Sequence, residues 1–99
     1  MTSSTNIRDV IKNLVPKYRV NVHPTVDAFI EKIPEQSHKK SAQDLLNDLP
    51  SYPDVLKRWD AEKVKGRENT YRVRIGRYRI AFVVDKKERQ IDVPDATMK

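Results

Sequence analysis

The chain has 99 residues and no cysteine, so it fits one domain with a modest core and excludes disulfides and thiolate metal sites. No apolar run is long enough to cross a membrane, and residues 1–5 lack the basic start of a secretory signal. The two histidines do not form a metal-binding pair, and the two glycines cannot form a phosphate-binding loop. These features predict a cytoplasmic protein that uses no metal or other cofactor.

The net charge of +6 is concentrated in one segment of the chain. Residues 57–89 hold twelve Lys or Arg against five Asp or Glu, whereas the two signs cancel over residues 1–56. A clustered positive charge favours a polyanionic partner, most often nucleic acid. The alternative is a solvated basic surface with no ligand.

The first half of the chain predicts helices separated by prolines. Apolar residues at helical spacing predict a helix over Asn6–Val15, and residues 1–16 are assigned to an N-terminal helical extension. Residues 17–22 alternate between apolar and polar side chains, as in a half-buried strand. Two further helices lie on either side of Pro34, the second over residues 35–49. Their short link predicts antiparallel neighbours.

The second half of the chain predicts strands. Residues 51–60 are expected to be irregular, and Gly66 to mark a turn. Apolar alternation predicts strands at residues 63–65, 71–75, 78–84 and 90–93. Helices followed by adjacent strands predict an α+β fold, with the N-terminal helix and the helical hairpin packed on one face of a small antiparallel sheet.

The segment from residue 71 to residue 82 predicts a β-hairpin. If residues 76–77 form a two-residue loop, the apolar side chains of both strands share one face. On the opposite face, Arg74 then lies directly across from Arg79, with Arg72 next along the same strand. Like charges directly opposed on a sheet are unfavourable, so this pairing indicates that something else compensates the repulsion.

Four arginines and no acid lie between residues 72 and 79. Guanidinium groups bind phosphate oxygens through paired hydrogen bonds and keep their charge, so the pattern favours an anion site. The alternative is a solvated sheet face whose arginines pair with acids from elsewhere, such as Glu62 or Glu68.

Two stretches, Lys-Val-Lys-Gly at residues 63–66 and Tyr-Arg-Val-Arg-Ile-Gly-Arg-Tyr-Arg-Ile at residues 71–80, resemble the hallmark of the RelE/ParE toxin superfamily. Members typically show a lysine-leucine-lysine-glycine-like turn, then a tyrosine-arginine-x-arginine-x-glycine strand and turn, then tyrosine-arginine and an apolar strand. The preceding strand and helical hairpin are similar in order and length, so the resemblance covers about residues 17–93. It implies a RelE-like toxin domain over residues 17–99, with residues 1–16 outside the usual pattern.

The resemblance implies one of two activities. RelE-like members cut mRNA in the ribosomal A site and so inhibit translation, ParE-like members poison DNA gyrase, and both are neutralised by a cognate antitoxin. The expected activity is that of a RelE-like, metal-independent endoribonuclease acting on mRNA bound to the ribosome. By the resemblance, the catalytic residues that orient RNA and stabilise the transition state are Arg72, Arg74 and Arg79. The flanking RNA backbone is expected to bind Lys63, Lys65, Arg67 and Arg77.

Two alternatives stay open at this point. RelE-like enzymes usually carry an arginine and a tyrosine in a last segment, and neither follows Arg89 here. The first alternative is that cleavage is lost, which leaves a non-catalytic RNA- or ribosome-binding homologue. If cleavage is retained, other residues must complete the site, and the candidates are Tyr18, Tyr52, His38 and Lys65. The second alternative is a ParE-like gyrase inhibitor.

Overall fold

A computed structural model describes residues 17–99, so the helix predicted over Asn6–Val15 lies outside the described residues. The elements in chain order are β1 (Arg19–Val22), α1 (Pro24–Glu31), α2 (Gln36–Asp48), a 3₁₀ turn (Leu49–Ser51), α3 (Val55–Arg58), β2 (Ala61–Lys63), β3 (Thr70–Ile75), β4 (Tyr78–Asp85) and β5 (Gln90–Met98). Each helix in this part of the chain is too short or too polar to cross a membrane.

The strands form one five-stranded sheet in the order β1-β5-β4-β3-β2. Strands β2 to β5 pair antiparallel with their neighbours, whereas β1 pairs parallel with β5. The sequence predicted an α+β fold with an antiparallel sheet, and the structure confirms the class and adds this one parallel pair. The chain can make that pair because β1 and β5 are separated by the whole helical layer, which is far longer than a parallel crossover requires.

The helices cover one face of the sheet and form the core with it. In β4 the buried side chains alternate, from Tyr78 through Ile80 and Phe82 to Val84. Helix α1 packs on β5 and helix α2 on β3. The intervening side chains lie on the opposite face, where those of Arg72, Arg74, Arg79 and Ala81 keep contact with solvent. That opposite face carries the charged side chains.

Strand β2 begins earlier than the sequence predicted. It spans Ala61–Lys63 rather than residues 63–65. The chain turns over residues 64–69, where Gly66 and Asn69 both have positive φ, at 83° and 54°. The preceding segment, expected to be irregular, contains the 3₁₀ turn and α3.

Strand β5 continues past Val93, where it was predicted to stop, to Met98. Strand β1 pairs only as far as Val93, so Pro94 lies where no neighbour on that side needs its missing N–H. On the other side, the pairing with β4 shifts register between Ala81 and Val83. Such a bulge is one of the few strand positions that tolerate proline, and it lets the strand resume.

Candidate nucleic-acid interface

The open face of the sheet presents two rows of side chains that run across the strands. Directly paired residues of neighbouring strands share a face, and adjacent strands lie about 4.8 Å apart. We call these eight residues the arginine face: Glu62, Arg72, Ala81 and Asp95 in the first row, and Asp60, Arg74, Arg79 and Thr97 in the second.

The hairpin between β3 and β4 has the predicted register. Arg74 pairs with Arg79 and Arg72 with Ala81, on either side of a two-residue loop at residues 76–77. Gly76 takes a positive φ of 59°, which the tight loop requires and which glycine adopts without strain. The loop therefore brings three arginines of two strands into one patch.

The three arginines differ in their partners. Arg74 donates from Nε to Asp60 Oδ2 over 3.1 Å, and both side chains are more than half exposed. Arg72 and Arg79 are half-buried, and within residues 17–99 neither forms an ion pair. Among these three arginines, the alternative that acids neutralise them therefore holds only for Arg74, through Asp60, in the part of the chain that the structure describes.

Two adjoining cavities lie on this face and share Arg72 and Arg79. The first, of about 80 Å³, is lined by Asp60, Glu62, Arg72, Arg74 and Arg79. The second, of about 210 Å³, is lined by Val64, Arg67, Thr70, Arg72, Arg79, Ala81, Asp95 and Thr97. We call the combined space the arginine groove. Its centre is cationic and its two ends carry carboxylates.

Four of the seven residues expected to contact RNA lie together in the groove: Arg67, Arg72, Arg74 and Arg79. Lys65 is exposed in the turn over residues 64–69. Lys63 pairs with Tyr71, whose ring stacks on Phe82 at 5.4 Å, so it belongs to the other face of the sheet. The structure does not bring these two lysines into the groove.

Arg77 is held at the tip of the hairpin by Tyr78 of β4 and by Glu35 at the start of α2. Its Nε donates to the Tyr78 hydroxyl over 3.3 Å, and its Nη2 lies 3.5 Å from Glu35 Oε2. Tyr78 in turn donates to Glu35, and this hydrogen bond is the main reason that the pKa of Glu35 is lowered. The pKa of Arg77 is raised, chiefly by its bond to Tyr78. These contacts tie Arg77 to the start of α2, away from the groove.

None of the four residues considered for completing the site lines the groove. Tyr18 and Tyr52 form an edge-to-face pair at 5.1 Å beneath the sheet, where burial raises the pKa of Tyr52. His38 lies behind the hairpin loop, with its ring 5.8 Å from that of Tyr78. Lys65 lies in the turn.

The groove also contains three carboxylates, of which the sequence analysis had named Glu62 alone as a possible partner of the arginines. Asp60 and Glu62 line the first cavity and Asp95 the second. They reach the arginines through the pairing of β2 and β5, and the registers of those strands cannot be read from local pattern. Within residues 17–99, no three His, Asp or Glu side chains are grouped so as to hold a metal ion.

No protein-family model matches the chain. Over 68 residues it is 32% identical to the protein named "Putative toxin RelE1" from Methanocaldococcus jannaschii. The aligned stretch covers 69% of this chain and 74% of the relative. The crystal structure of an archaeal RelE–RelB complex from Pyrococcus horikoshii has a chain that superposes with a TM-score of 0.69 and 25% identity, covering 83% of this chain and 94% of that one. A chain of the intact RelBE toxin–antitoxin complex of E. coli superposes with a TM-score of 0.64 at 13% identity, covering 83% and 96%.

Fold and sequence together define the class of this protein, a small α+β toxin. More particularly, the chain belongs to the RelE toxin family. The resemblance noted in the hairpin is thereby confirmed.

Proposed function

We propose that this protein is a ribosome-dependent mRNA endonuclease that inhibits translation and is neutralised by a cognate antitoxin. The observation that carries the proposal is the pair of half-buried arginines, Arg72 and Arg79, shared by both cavities of the groove. Neither is neutralised within the part of the chain that the structure describes, so both are available to an anion. The phosphodiester group between two nucleosides is an anion that these two arginines can bind.

The chemistry uses the RNA's own 2′-hydroxyl. Its oxygen attacks the adjacent phosphorus, the bond from phosphorus to the 5′-oxygen breaks, and the products are a 2′,3′-cyclic phosphate and a 5′-hydroxyl. Negative charge builds on the phosphoryl oxygens in the transition state. Arg72 and Arg79 are fixed on strands, and preorganised donors of this kind stabilise developing charge without reorganisation. Arg74 contributes to the same patch once RNA displaces its exposed pair with Asp60.

The attacking hydroxyl must also lose a proton. Arginine cannot accept one, because it stays protonated at any accessible pH. Glu62 lies directly across from Arg72 and lines the same cavity, so its carboxylate is placed to receive the proton. The leaving 5′-oxygen takes up a proton from water. In this arrangement the proton acceptor comes from β2 and the charge stabilisers come from β3 and β4.

An antitoxin partner is proposed from the relatives. The structures from Pyrococcus horikoshii and E. coli are both complexes of a RelE toxin with RelB. The concentrated positive charge of residues 57–89 supports an acidic segment as the neutralising surface.

The test is to add the purified protein to a translating extract and to map mRNA 5′ ends. New ends that appear only while ribosomes elongate, and that Arg79→Ala abolishes, are the expected result. Lys57→Ala is the matched control, since it removes an exposed cation on α3 without touching the groove. Cleavage that survives Arg79→Ala, or no cleavage by the wild-type protein, contradicts the proposal.

A non-catalytic binder is the second candidate, and one observation favours it. The groove holds three carboxylates among its four arginines, a mixture suited to a polar interface as well as to catalysis. Intact mRNA together with co-sedimentation on ribosomes identifies this candidate. Glu62→Gln separates the two further, because it should abolish cleavage and leave ribosome binding unchanged if Glu62 accepts the proton.

A further inference from the structure

A second group of cations lies at the end of the sheet opposite to the hairpin loop. The turn between β4 and β5 covers residues 86–89 and carries three of them. The parallel pairing of β1 with β5 places the start of β1 beside this turn and adds the other two. We call these five exposed residues the turn patch: Lys17, Arg19, Lys86, Lys87 and Arg89.

The turn patch joins two parts of the sequence that differ in charge. Lys17 and Arg19 come from residues 1–56, in which the two signs cancel, whereas the other three cations belong to the basic segment 57–89. The acids of the turn are Asp85 and Glu88. The Asp85 carboxylate accepts a hydrogen bond from the Glu88 N–H over 3.0 Å, so it serves the backbone of the turn. The strand pairing therefore creates a positive surface that the charge of neither segment predicts.

Two side chains of the turn patch are held in place by the fold. The Arg19 Nη2 donates to the Glu88 carbonyl oxygen over 3.5 Å. The Arg89 guanidinium lies over the Tyr18 ring, 5.6 Å from its centroid. Within residues 17–99 none of the five cations forms an ion pair, although the Glu88 carboxylate belongs to the same turn. The patch is thus partly oriented in advance and remains available to an anion.

Arg89 also occupies a backbone position that disfavours an arginine. Its φ is 51°, in the left-handed region that crowds a Cβ and that turns usually fill with glycine or asparagine. Backbone strain of this kind is concentrated at functional sites. Together with the missing ion pairs, this position indicates that the patch binds a ligand.

The side chains of the turn patch suit the phosphate backbone of helical RNA. All five are cations, which bind phosphate oxygens. The aromatic ring that contacts them, that of Tyr18, is only 8% exposed, so it is not offered to an unpaired base for stacking. Double-helical RNA is recognised mostly through its phosphates and its shape, whereas single-stranded RNA is recognised through stacked and splayed bases. The patch therefore fits helical RNA better than single-stranded RNA.

The turn patch and the arginine groove are too far apart to hold the same phosphate. Arg79 and Asp85 are six residues apart on β4, which corresponds to about 20 Å. Arg19 nevertheless lies on the same face of the sheet as the groove, because it pairs with Gln90 and Gln90 pairs with Asp85. One face of the protein can thus contact two separate segments of RNA at the same time.

We propose that the turn patch binds the phosphate backbone of helical ribosomal RNA and holds the protein on the ribosome while the arginine groove takes the mRNA. This inference rests on the proposed function, because it supplies the docking contact that a ribosome-dependent nuclease requires. The contact is made by charge and shape, so it is independent of the sequence of the mRNA.

The test measures binding of the 99-residue protein to purified ribosomes that carry no mRNA, over a range of salt concentrations. A 2′-O-methyl pentauridylate, which cannot be cleaved, is present in excess to occupy the groove. The test variant is Lys86→Ala/Lys87→Ala, since both side chains are exposed and neither forms an ion pair within residues 17–99. Lys32→Ala/Lys57→Ala is the matched control, because it removes the same charge from two exposed lysines outside the patch and the groove.

The logarithm of the ribosome affinity should fall with the logarithm of salt concentration less steeply in the test variant. The slope should become shallower by about 2, because each contact between lysine and phosphate contributes about 1. The affinity at physiological salt should be lower by a factor on the order of ten. Affinity for the pentauridylate should not change, since the groove lies well beyond the Debye length of about 8 Å. The control should change neither affinity.

The same slope in the wild type and the test variant, or an equal loss of affinity in the control, overturns the docking site. An equal loss of pentauridylate affinity also overturns it, because the two sites would then be one. Unchanged ribosome affinity together with lost affinity for poly-glutamate assigns the patch to an acidic protein and rejects the RNA site.

The nuclease proposal is judged separately by the 5′-end map. Elongation-dependent cleavage by the wild type, with no change of slope in the test variant, keeps the nuclease and rejects the docking site. Ribosome binding that depends on Lys86 and Lys87, without cleavage, keeps the docking site and rejects the nuclease.

Discussion

Arg74 and Arg79 lie directly opposite each other on the sheet, yet they differ in their ion-pair partners. Arg74 has Asp60 at 3.1 Å, and Arg79 has no ion-pair partner within residues 17–99. A folded domain gains nothing from an unpaired cation set against a like charge. The arrangement is therefore unfavourable for the fold by itself, which is what we expect if these arginines bind an anion.

Replacing Arg79 by alanine should accordingly leave the free energy of unfolding unchanged or raise it by up to about 1 kcal/mol, because the repulsion from Arg74 disappears. Arg74→Ala loses an exposed ion pair worth about 0.5 kcal/mol and gains the same relief, so its net effect should be close to zero. Urea unfolding measures both. If either variant unfolds the domain, the arginines are structural and the anion site is wrong.

A second residue-level effect concerns Asp48, at the end of α2. It accepts hydrogen bonds from Arg58 at 2.8 and 2.9 Å and from Trp59 at 2.9 Å, which join α2 to α3. The bond from Arg58 is the main reason that the pKa of Asp48 is lowered. A carboxyl whose pKa is lower in the folded than in the unfolded state stabilises the fold above its unfolded value. That contribution disappears as the pH falls through the folded value.

Asp48→Asn should therefore lower the free energy of unfolding by about 1 kcal/mol at pH 7, allowing for the partial exposure of Arg58. The gap to the wild type should narrow as the pH falls below about 4, where the unfolded-state carboxyl takes up its proton. Urea unfolding at several pH values gives this difference. Asp44→Asn, which loses only an exposed pair with Lys40, is the control. A gap that stays constant with pH contradicts the assignment.

Local sequence predicted the three arginines of the hairpin because a two-residue loop fixes every cross-strand partner. It named Glu62 only as a possible partner of the arginines, and it did not predict the contributions of Asp60 and Asp95. These residues reach the groove through β2 and β5, and the register of β5 depends on a bulge beside Pro94. Neither the pairing of distant strands nor the bulge can be predicted from the local periodicity of apolar residues.

Among the elements, the hairpin and helix α2 are in unusually close contact. An ideal Cβ at Gly76 would lie 2.5 Å from His38 Cε1, so the loop backbone packs directly against the histidine ring. The His38 ring also makes an edge-to-face contact with Tyr78 at 5.8 Å. The start of α2 thus fixes where the loop, and with it the arginine pair, can lie.

Gly76→Ala should therefore cost about 2 kcal/mol of folding free energy, about half from the positive φ and half from displacing His38. Gly66→Ala is the matched control, since Gly66 also has a positive φ, of 83°, but no atom lies within 4 Å of its ideal Cβ. It should cost about 1 kcal/mol. Thermal or urea unfolding gives both values.

His38→Ala in the Gly76→Ala background should recover the part due to the clash. The double variant would then cost less than the sum of the two single variants. If the two costs simply add, the contact between loop and helix is not what constrains Gly76.

The boundaries of the elements show which signals the sequence carries. The helices flanking Pro34 were predicted because proline ends a helix and apolar side chains repeat at helical spacing. The predicted end of β5 at Val93 was wrong, because the strand accommodates Pro94. This proline lies beyond the residues that pair with β1 and beside a bulge in the pairing with β4. The same residue type ends one element and is accommodated in another, and only the neighbouring strands decide which.

At the scale of the whole molecule, the fold places some of the positive charges of residues 57–89 in the groove and others elsewhere. Arg67, Arg72, Arg74 and Arg79 lie in the groove, whereas Arg77 is bound to the helical layer. We propose that residues 17–99 are the toxin domain that carries this surface. The charged groove should bind RNA with an affinity that falls as salt displaces the contacts between arginine and phosphate.

If Arg67, Arg72 and Arg79 each contact a phosphate, the logarithm of the RNA affinity should fall with the logarithm of salt concentration with a slope of about −2. Arg79→Ala should make the slope shallower by about 0.7, and Lys57→Ala should not change it. Fluorescence anisotropy with a short single-stranded RNA measures the slope. An affinity that does not depend on salt contradicts phosphate binding at the groove.

The position of β5 has a consequence for how the protein is made. Within residues 17–99 this strand comes last in chain order, yet it lies between β1 and β4, and it supplies Asp95 and Thr97. Pairing over so long a stretch of chain cannot begin until residues 90–98 have emerged from the ribosome. The second cavity of the groove therefore cannot form until β5 has been synthesised, and a chain that terminates before β5 lacks two of its lining residues.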